Sequence, residues 1–130
     1  MATRSEYATR PRERIAAVLQ GARRFFSAAE VHRELEDRSA PVALSTVYRT
    51  LERFREKGEA TSRLDETGEA TYMWCEPTTH HHHAICNVCG RVEDVDCGAV
   101  EQFAETLRTF NGFTIDSHAM EFYGRCSSCR

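Results

Sequence analysis

Two Cys-x-x-Cys pairs constrain this chain more than any other feature: Cys86 and Cys89 form the first, Cys126 and Cys129 the second, close to the C-terminus. Four thiolates delivered in pairs suit one tetrahedral ion, and zinc is the ion which that geometry favours. Gly90 follows the first pair and Gly124 precedes the second, and both suit tight knuckle turns. Without a signal-peptide core, paired knuckles are better explained by structural zinc than by two disulfides. A single Cys-x-x-Cys could be a redox pair, but two that bracket one segment argue against it.

The first pair closes a run that begins at Cys75 and contains four consecutive histidines, His80, His81, His82 and His83. Four adjacent imidazoles cannot face one ion. On an extended strand, His81 and His83 would share one face while His80 and His82 share the other, so two metal sites on opposite sides follow. The competing reading, a solvated polyhistidine tract or a tag, fits poorly with an internal run that abuts a knuckle.

A length of 130 residues suffices for one ordinary domain or two small ones, and charge favours two. Residues 1–64 hold thirteen Lys/Arg against nine Asp/Glu, a net of +4, whereas residues 65–130 hold four against eleven, a net of −7. A basic half joined to an acidic, metal-rich half suggests that the first meets phosphate and the second senses cations. Chance asymmetry of solvated faces is the bland alternative. No apolar run approaches the roughly 20 residues of a membrane span, so a soluble, cytoplasmic protein with no membrane partner is expected.

Three helices are expected in the basic half. The first follows Arg10-Pro11-Arg12 and buries Ile15, Val18 and Leu19 before Gly21, since proline is tolerated at a helix start. Ser27-Ala28-Ala29-Glu30 reads as a capping box opening a second helix through Val31 and Leu35, which should stop before Pro41. The third spans about Ser45 to Lys57, with Leu44, Val47, Leu51 and Phe54 at helical spacing and Gly58 at its end. Ala60 to Leu64 and Ala70 to Trp74 then pair as a hairpin across Asp65-Glu66-Thr67-Gly68.

Three helices followed by a hairpin is the order of a winged helix, in which the third helix enters the major groove. Its outer faces carry Ser45, Thr46, Tyr48, Arg49, Thr50 and Arg53. Arg49 could read guanine or clamp phosphate, Tyr48 could meet a thymine methyl or a phosphate, and Arg10 and Arg12 could touch the backbone. With sixteen arginines and one lysine in the chain, ordinary helix-surface roles compete with each of these.

The acidic half begins after a short polar hinge. The histidine run leads into a strand ending at Cys86, Arg91 to Val95 makes a second, and Val100, Phe103, Ala104, Leu107 and Phe110 mark one helix face that ends at Gly112. Phe113 to Tyr123 is expected to form a last strand containing His118. So small a unit would have difficulty burying its aromatics alone, and an isologous dimer would cover them and match a palindromic DNA site. The expected organisation is α+β: a winged-helix DNA-binding domain over 1–76, a hinge at 77–79 and a small α/β dimerisation domain with structural zinc over 80–130.

LSTVYRTLERF at 44–54, HHHHAICNVCG at 80–90 and HAMEFYGRCSSC at 118–129 together resemble the ferric uptake regulator family of bacterial metal-dependent repressors, over nearly the whole chain. Cys75 and the four histidines look most like its zinc uptake branch. The resemblance implies a homodimer that binds double-stranded operator DNA when zinc-loaded and represses metal-uptake genes. It also implies three metal sites. Cys86, Cys89, Cys126 and Cys129 match the structural zinc site; Cys75, His81 and His83 match three ligands of the sensory site; His80, His82, Glu101 and His118 match a further one.

The fourth sensory ligand is open. The position matching an aspartate of the zinc branch counts to Thr61, and that matching a histidine of other branches counts to Phe25. Asp65 is the substitute, with Glu69, water or a three-coordinate site as alternatives. Cys97 lies outside every pattern and is expected to be a small buried residue or an inert thiol. One thiolate with two imidazoles favours zinc over ferrous iron, although an iron- or peroxide-sensing regulator, or a zinc-buffering protein, is the alternative function. Neither His-Glu-x-x-His nor the deaminase pattern occurs, since Ile85 precedes Cys86, so no catalytic residue and no small-molecule substrate are expected.

Overall fold

The computed structural model describes residues 4–75 and 80–130, with side chains over 10–75 and 80–130. The chain divides into two units, Met1–Pro77 and Thr78–Arg130; the expected hinge at 77–79 falls outside the described residues.

In the first unit, helix α1 spans Arg4–Gln20, starting well before the position expected from Pro11. The proline sits inside the helix instead of opening it, at the cost of one backbone donor, while Ile15, Val18 and Leu19 are buried as expected. Strand β1, Phe26–Ser27, follows. Ser27 then caps α2, Ala28–Asp37, its Oγ accepting from Glu30 N at 3.1 Å. Such a cap contributes about 1 kcal/mol.

Helix α3 spans Leu44–Glu56 and buries Val47, Leu51 and Phe54 at i, i+4, i+7. It terminates where Glu59 N donates to Phe54 O and Gly58 takes φ of +76°, a conformation that favours glycine. Strands β2, Ala60–Leu64, and β3, Ala70–Trp74, pair antiparallel from Ala60↔Trp74 to Leu64↔Ala70, as the sequence predicts. Strand β1 adds to the other edge of β3, giving the order β1-β3-β2. Phe54 meets Trp74 edge to face with ring centroids 5.3 Å apart, and its complete burial stabilises the helix-to-wing packing by about 2–3 kcal/mol. Three helices packed on a three-stranded wing make this unit a winged helix.

The second unit contains β4, His82–Cys86, β5, Val92–Val95, α4, Gly98–Asn111, and β6, Glu121–Gly124. Its sheet has the order β5-β4-β6, antiparallel between β4 and β5, parallel between β4 and β6. The long strand expected over Phe113 to Tyr123 is corrected to four residues, and His118 lies before it. The register explains why: β6 pairs only with His83 to Cys86, so residues further upstream have no ladder to join.

Ile85, Cys86, Val92 and Val100 are buried in this unit. Of the expected apolar helix face, Val100 is covered while Phe103 and Phe110 stay exposed, Phe110 at 81%. Phe113, Phe122 and Tyr123 are exposed as well. Among the described residues, no helix is long and apolar enough to cross a membrane.

Candidate metal centres and nucleic-acid interface

The sulfurs of Cys86, Cys89, Cys126 and Cys129 all lie within 4.8 Å of one another, and Cys89 Sγ stands 3.7 Å from Cys126 Sγ. A zinc tetrahedron with Zn–S of about 2.3 Å has sulfur edges of about 3.8 Å, so the set fits that ion. Local backbone makes the fit: Gly90 N donates to Cys86 O and Cys129 N to Cys126 O, both at 3.0 Å, folding each pair into a knuckle. Backbone N–H groups of Cys89 and Cys126 draw the Cys86 thiol down to about 6, whereas hydrogen bonding with Cys126 and burial push Cys129 up to about 12. Four clustered sulfurs cannot all carry negative charge unless a cation joins them. None of the six cysteines, all among the described residues, is in a disulfide.

The histidines alternate as expected. His81 and His83 form one ring pair with centroids 5.0 Å apart, and each presents Nε2 3.7 Å from Asp94 Oδ1 on β5. That distance is too long for a hydrogen bond and places two imidazoles and a carboxylate around a common point. Asp94 faces His83 because the two are register partners.

On the other face, His80, His82 and His118 form a triangle with all three ring centroids 4.8 Å apart. His80 Nε2 and His118 Nε2 are separated by 3.0 Å. Burial, then the neighbouring His118 and His80, hold the His82 imidazole below its ordinary pKa. Glu101 does not complete this group. It is exposed in the first turn of α4, where a carboxylate suits the helix dipole. The side chain that does meet the triangle is Cys97, the α4 N-cap residue, with Sγ 3.3 Å from His82 Nε2 and 3.5 Å from His118 Nε2. Cys97, expected to be a small buried residue or an inert thiol, is instead half-buried and lies against two imidazoles.

Cys75 follows β3 directly, its N–H donating to Glu59 O at 3.1 Å. Asp65, the expected substitute ligand, is committed to its own turn: Oδ1 accepts from Thr67 N at 2.8 Å, Thr67 Oγ1 at 2.6 Å and Glu69 N at 3.0 Å. These bonds, the Thr67 hydroxyl's first, keep its carboxyl below the usual range, and they close the wing hairpin.

On α3, Ser45, Tyr48, Arg49 and Arg53 are exposed and Thr46 is half-buried. Arg10 and Arg12 are exposed on α1, and Arg12 pairs with Glu59 at 3.1 Å. Between α1 and α3 lies a cleft of about 340 Å³ bordered by Arg12, Arg49, Arg53 and Lys57. Four cations around one cleft form an electropositive surface suited to phosphate.

Comparison with known proteins places these features in one lineage. The family model for the ferric uptake regulator family matches residues 5–123. The chain belongs to the ferric uptake regulator family. It is 38% identical to the zinc uptake regulation protein of Mycobacterium tuberculosis over 122 residues, 94% of this chain and 93% of that one. It resembles the crystal structure of FurB from M. tuberculosis, a zinc uptake regulator, with a TM-score of 0.58 and 39% identity over 95% of each chain. A zinc uptake regulator complexed with zinc and DNA matches with a TM-score of 0.61 and 25% identity, over 90% of this chain and 79% of that one.

Within this chain, the sequence reading did not single out Asp94 or Lys57 and gave Cys97 no role. Cys97 carried a signal: it is the sixth cysteine in a chain whose other five fall in metal motifs, and it immediately precedes a helix. Asp94 carried one too, since residues directly opposite on paired strands share one face, as His83 and Asp94 do. Lys57 had none beyond its charge.

Proposed function

We propose that this chain is a zinc-responsive transcriptional repressor that binds operator DNA as a homodimer when metal-loaded and releases it when zinc is scarce, thereby controlling metal-uptake genes. The observation that carries the reading is the chemistry of its donor groups: four converging thiolates and two separate imidazole faces, in a chain that resembles zinc uptake regulators. Sulfur and imidazole donors favour zinc over ferrous iron.

The proposed structural ion is held by Cys86, Cys89, Cys126 and Cys129, and the proposed regulatory ion by Cys75, His81 and His83. Asp94 is the proposed fourth regulatory ligand in place of Asp65, because its Oδ1 already stands 3.7 Å from both imidazoles. Donors from both units on one ion would make DNA affinity depend on zinc. Shifting a population from 1:99 to 99:1 takes about 5.5 kcal/mol of differential binding, within what zinc sites provide. The α3 residues Ser45, Thr46, Tyr48 and Arg49 face the major groove in this reading, while Arg10, Arg12 and Arg53 hold phosphates.

The exposed Phe103, Phe110, Phe113, Phe122 and Tyr123 support pairing through the second unit, and a two-fold dimer suits a palindromic operator. The role is regulatory, not enzymatic, and belongs in the cytoplasm with the DNA. A mobility-shift assay with DNA upstream of zinc-import genes tests it. Zinc-dependent retention of that DNA over random duplex is expected. Tight zinc binding without discrimination would indicate a zinc buffer, and iron-dependent retention an iron sensor.

A further inference from the structure

We propose that Cys97 is the fourth ligand of a Cys–His₃ zinc site with His80, His82 and His118, so that the additional metal centre of this chain selects zinc through sulfur, not oxygen. The proposal deepens the reading of the chain as a zinc-responsive regulator by naming the ligand set and selectivity of one of its sites.

The geometry is that of a coordination shell. Zinc with Zn–N of about 2.0–2.1 Å and Zn–S of about 2.3 Å sets N···N edges near 3.3 Å and N···S edges near 3.5 Å. Here His80 Nε2 and His118 Nε2 are 3.0 Å apart, Cys97 Sγ is 3.3 Å from His82 Nε2, and it is 3.5 Å from His118 Nε2. The four donor atoms all lie within 4.8 Å of one another. Three imidazole nitrogens and a thiol are gathered around His82, which is 4% exposed, where buried polar atoms need partners and an ion would serve all four donors at once.

Three separate parts of the chain deliver these donors. His80 precedes β4 and His82 opens it, His118 precedes β6, and Cys97 ends the turn between β5 and α4. Glu101 N donates to Cys97 O at 2.9 Å, so the thiol sits one helical turn before the carboxylate that the family resemblance puts in the site. Moving the fourth donor back one turn exchanges a hard oxygen for a soft sulfur. A His₃–carboxylate set accepts manganese or ferrous iron as readily as its geometry allows, whereas a thiolate shifts preference to zinc.

Cobalt(II) serves as the spectroscopic probe, used on full-length protein whose chelator-resistant structural zinc is confirmed at one ion per chain. In a Cys75→Ala background, which removes the other thiolate outside the knuckles, cobalt is expected to give a near-ultraviolet thiolate-to-cobalt charge-transfer band of single-thiolate intensity. Adding Cys97→Ser should abolish that band and weaken cobalt binding at least tenfold, while adding Glu101→Gln should leave both unchanged. Equal bands with and without Cys97, or loss of binding in Glu101→Gln alone, would overturn the proposal. Should a variant fail to fold, wild-type protein gives a second readout by peptide mapping after alkylation. Zinc should then protect Cys97 at least tenfold, and an equal rate with and without exchangeable zinc would refute it. Neither readout involves DNA, so either can fail while the repressor reading stands, and the reverse.

Discussion

Cys86 and Gly124 are register partners in the parallel pairing of β4 with β6, and Asn87 N continues the ladder by donating to Gly124 O at 2.9 Å. Two knuckles far apart in sequence thus start from neighbouring strand ends. Because the unit buries few large apolar side chains, the ion proposed to join them is expected to supply much of its stability. Structural zinc sites supply about 10–16 kcal/mol in apparent free energy, more than a small core provides. Cys126→Ser is expected to lower zinc content by one ion per chain and to abolish cooperative unfolding of the second unit, leaving the winged helix folded. Metal analysis with amide exchange checks both.

The Tyr72 hydroxyl donates to Glu52 Oε2 at 2.6 Å, tying β3 to α3. Arg55 first, then Tyr72, hold the Glu52 carboxyl below its usual range, while burial and Glu52 push the Tyr72 phenol up to about 12. The Glu52 contribution is present above the unfolded carboxylate pKa and is lost as pH falls through the lowered folded value. The Tyr72 contribution is complete below the unfolded phenol pKa of about 10 and is lost as pH rises through about 12. Tyr72→Phe should cost about 1 kcal/mol at neutral pH and flatten the alkaline limb of the stability profile, as read by denaturant unfolding between neutrality and high pH.

Arg49 and Lys57 border the same basic cleft but differ in place on α3, Arg49 lying in its first half and Lys57 at its C-cap. Arg49→Ala should weaken operator binding by about 1–3 kcal/mol and relax base preference if it reads an edge. Lys57→Ala should weaken specific and random duplex alike and reduce the salt slope by about one. Fluorescence anisotropy across a salt series separates the two effects.

Asp94 approaches His81 and His83 from β5. Asp94→Asn keeps the shape and removes the charge, and is expected to weaken the regulatory ion about tenfold or more without loss of structural zinc. Asp65→Asn should leave zinc affinity unchanged and destabilise only the wing turn that its carboxylate closes. Competition with a chromogenic chelator distinguishes them.

Legibility in the sequence followed the length scale of the cause. The β2–β3 hairpin and the Ser27 cap were readable because strand alternation and capping are local. Strand β1 was not, since two residues carry no periodicity and pair only because β3 has an open edge. The last strand was over-read for a related reason: apolar alternation upstream of Glu121 looks extended, but β4 offers partners only from His83 onward. At the metal centres, histidine parity followed from strand geometry, whereas Cys97 over Glu101 depends on where α4 begins, a tertiary fact. Pro11 inside α1 shows the same priority of context over local preference.

The central claim, that one ion gripped by Cys75 together with His81 and His83 governs DNA affinity, is tested most directly by a zinc titration in which metal stoichiometry and operator retention are measured on the same sample, for wild type and Cys75→Ala. Wild type should fill a chelator-resistant ion first and gain operator affinity as a further ion binds; Cys75→Ala should keep the resistant ion and the dimer but show no zinc-dependent retention. An unchanged zinc response in Cys75→Ala would contradict the account.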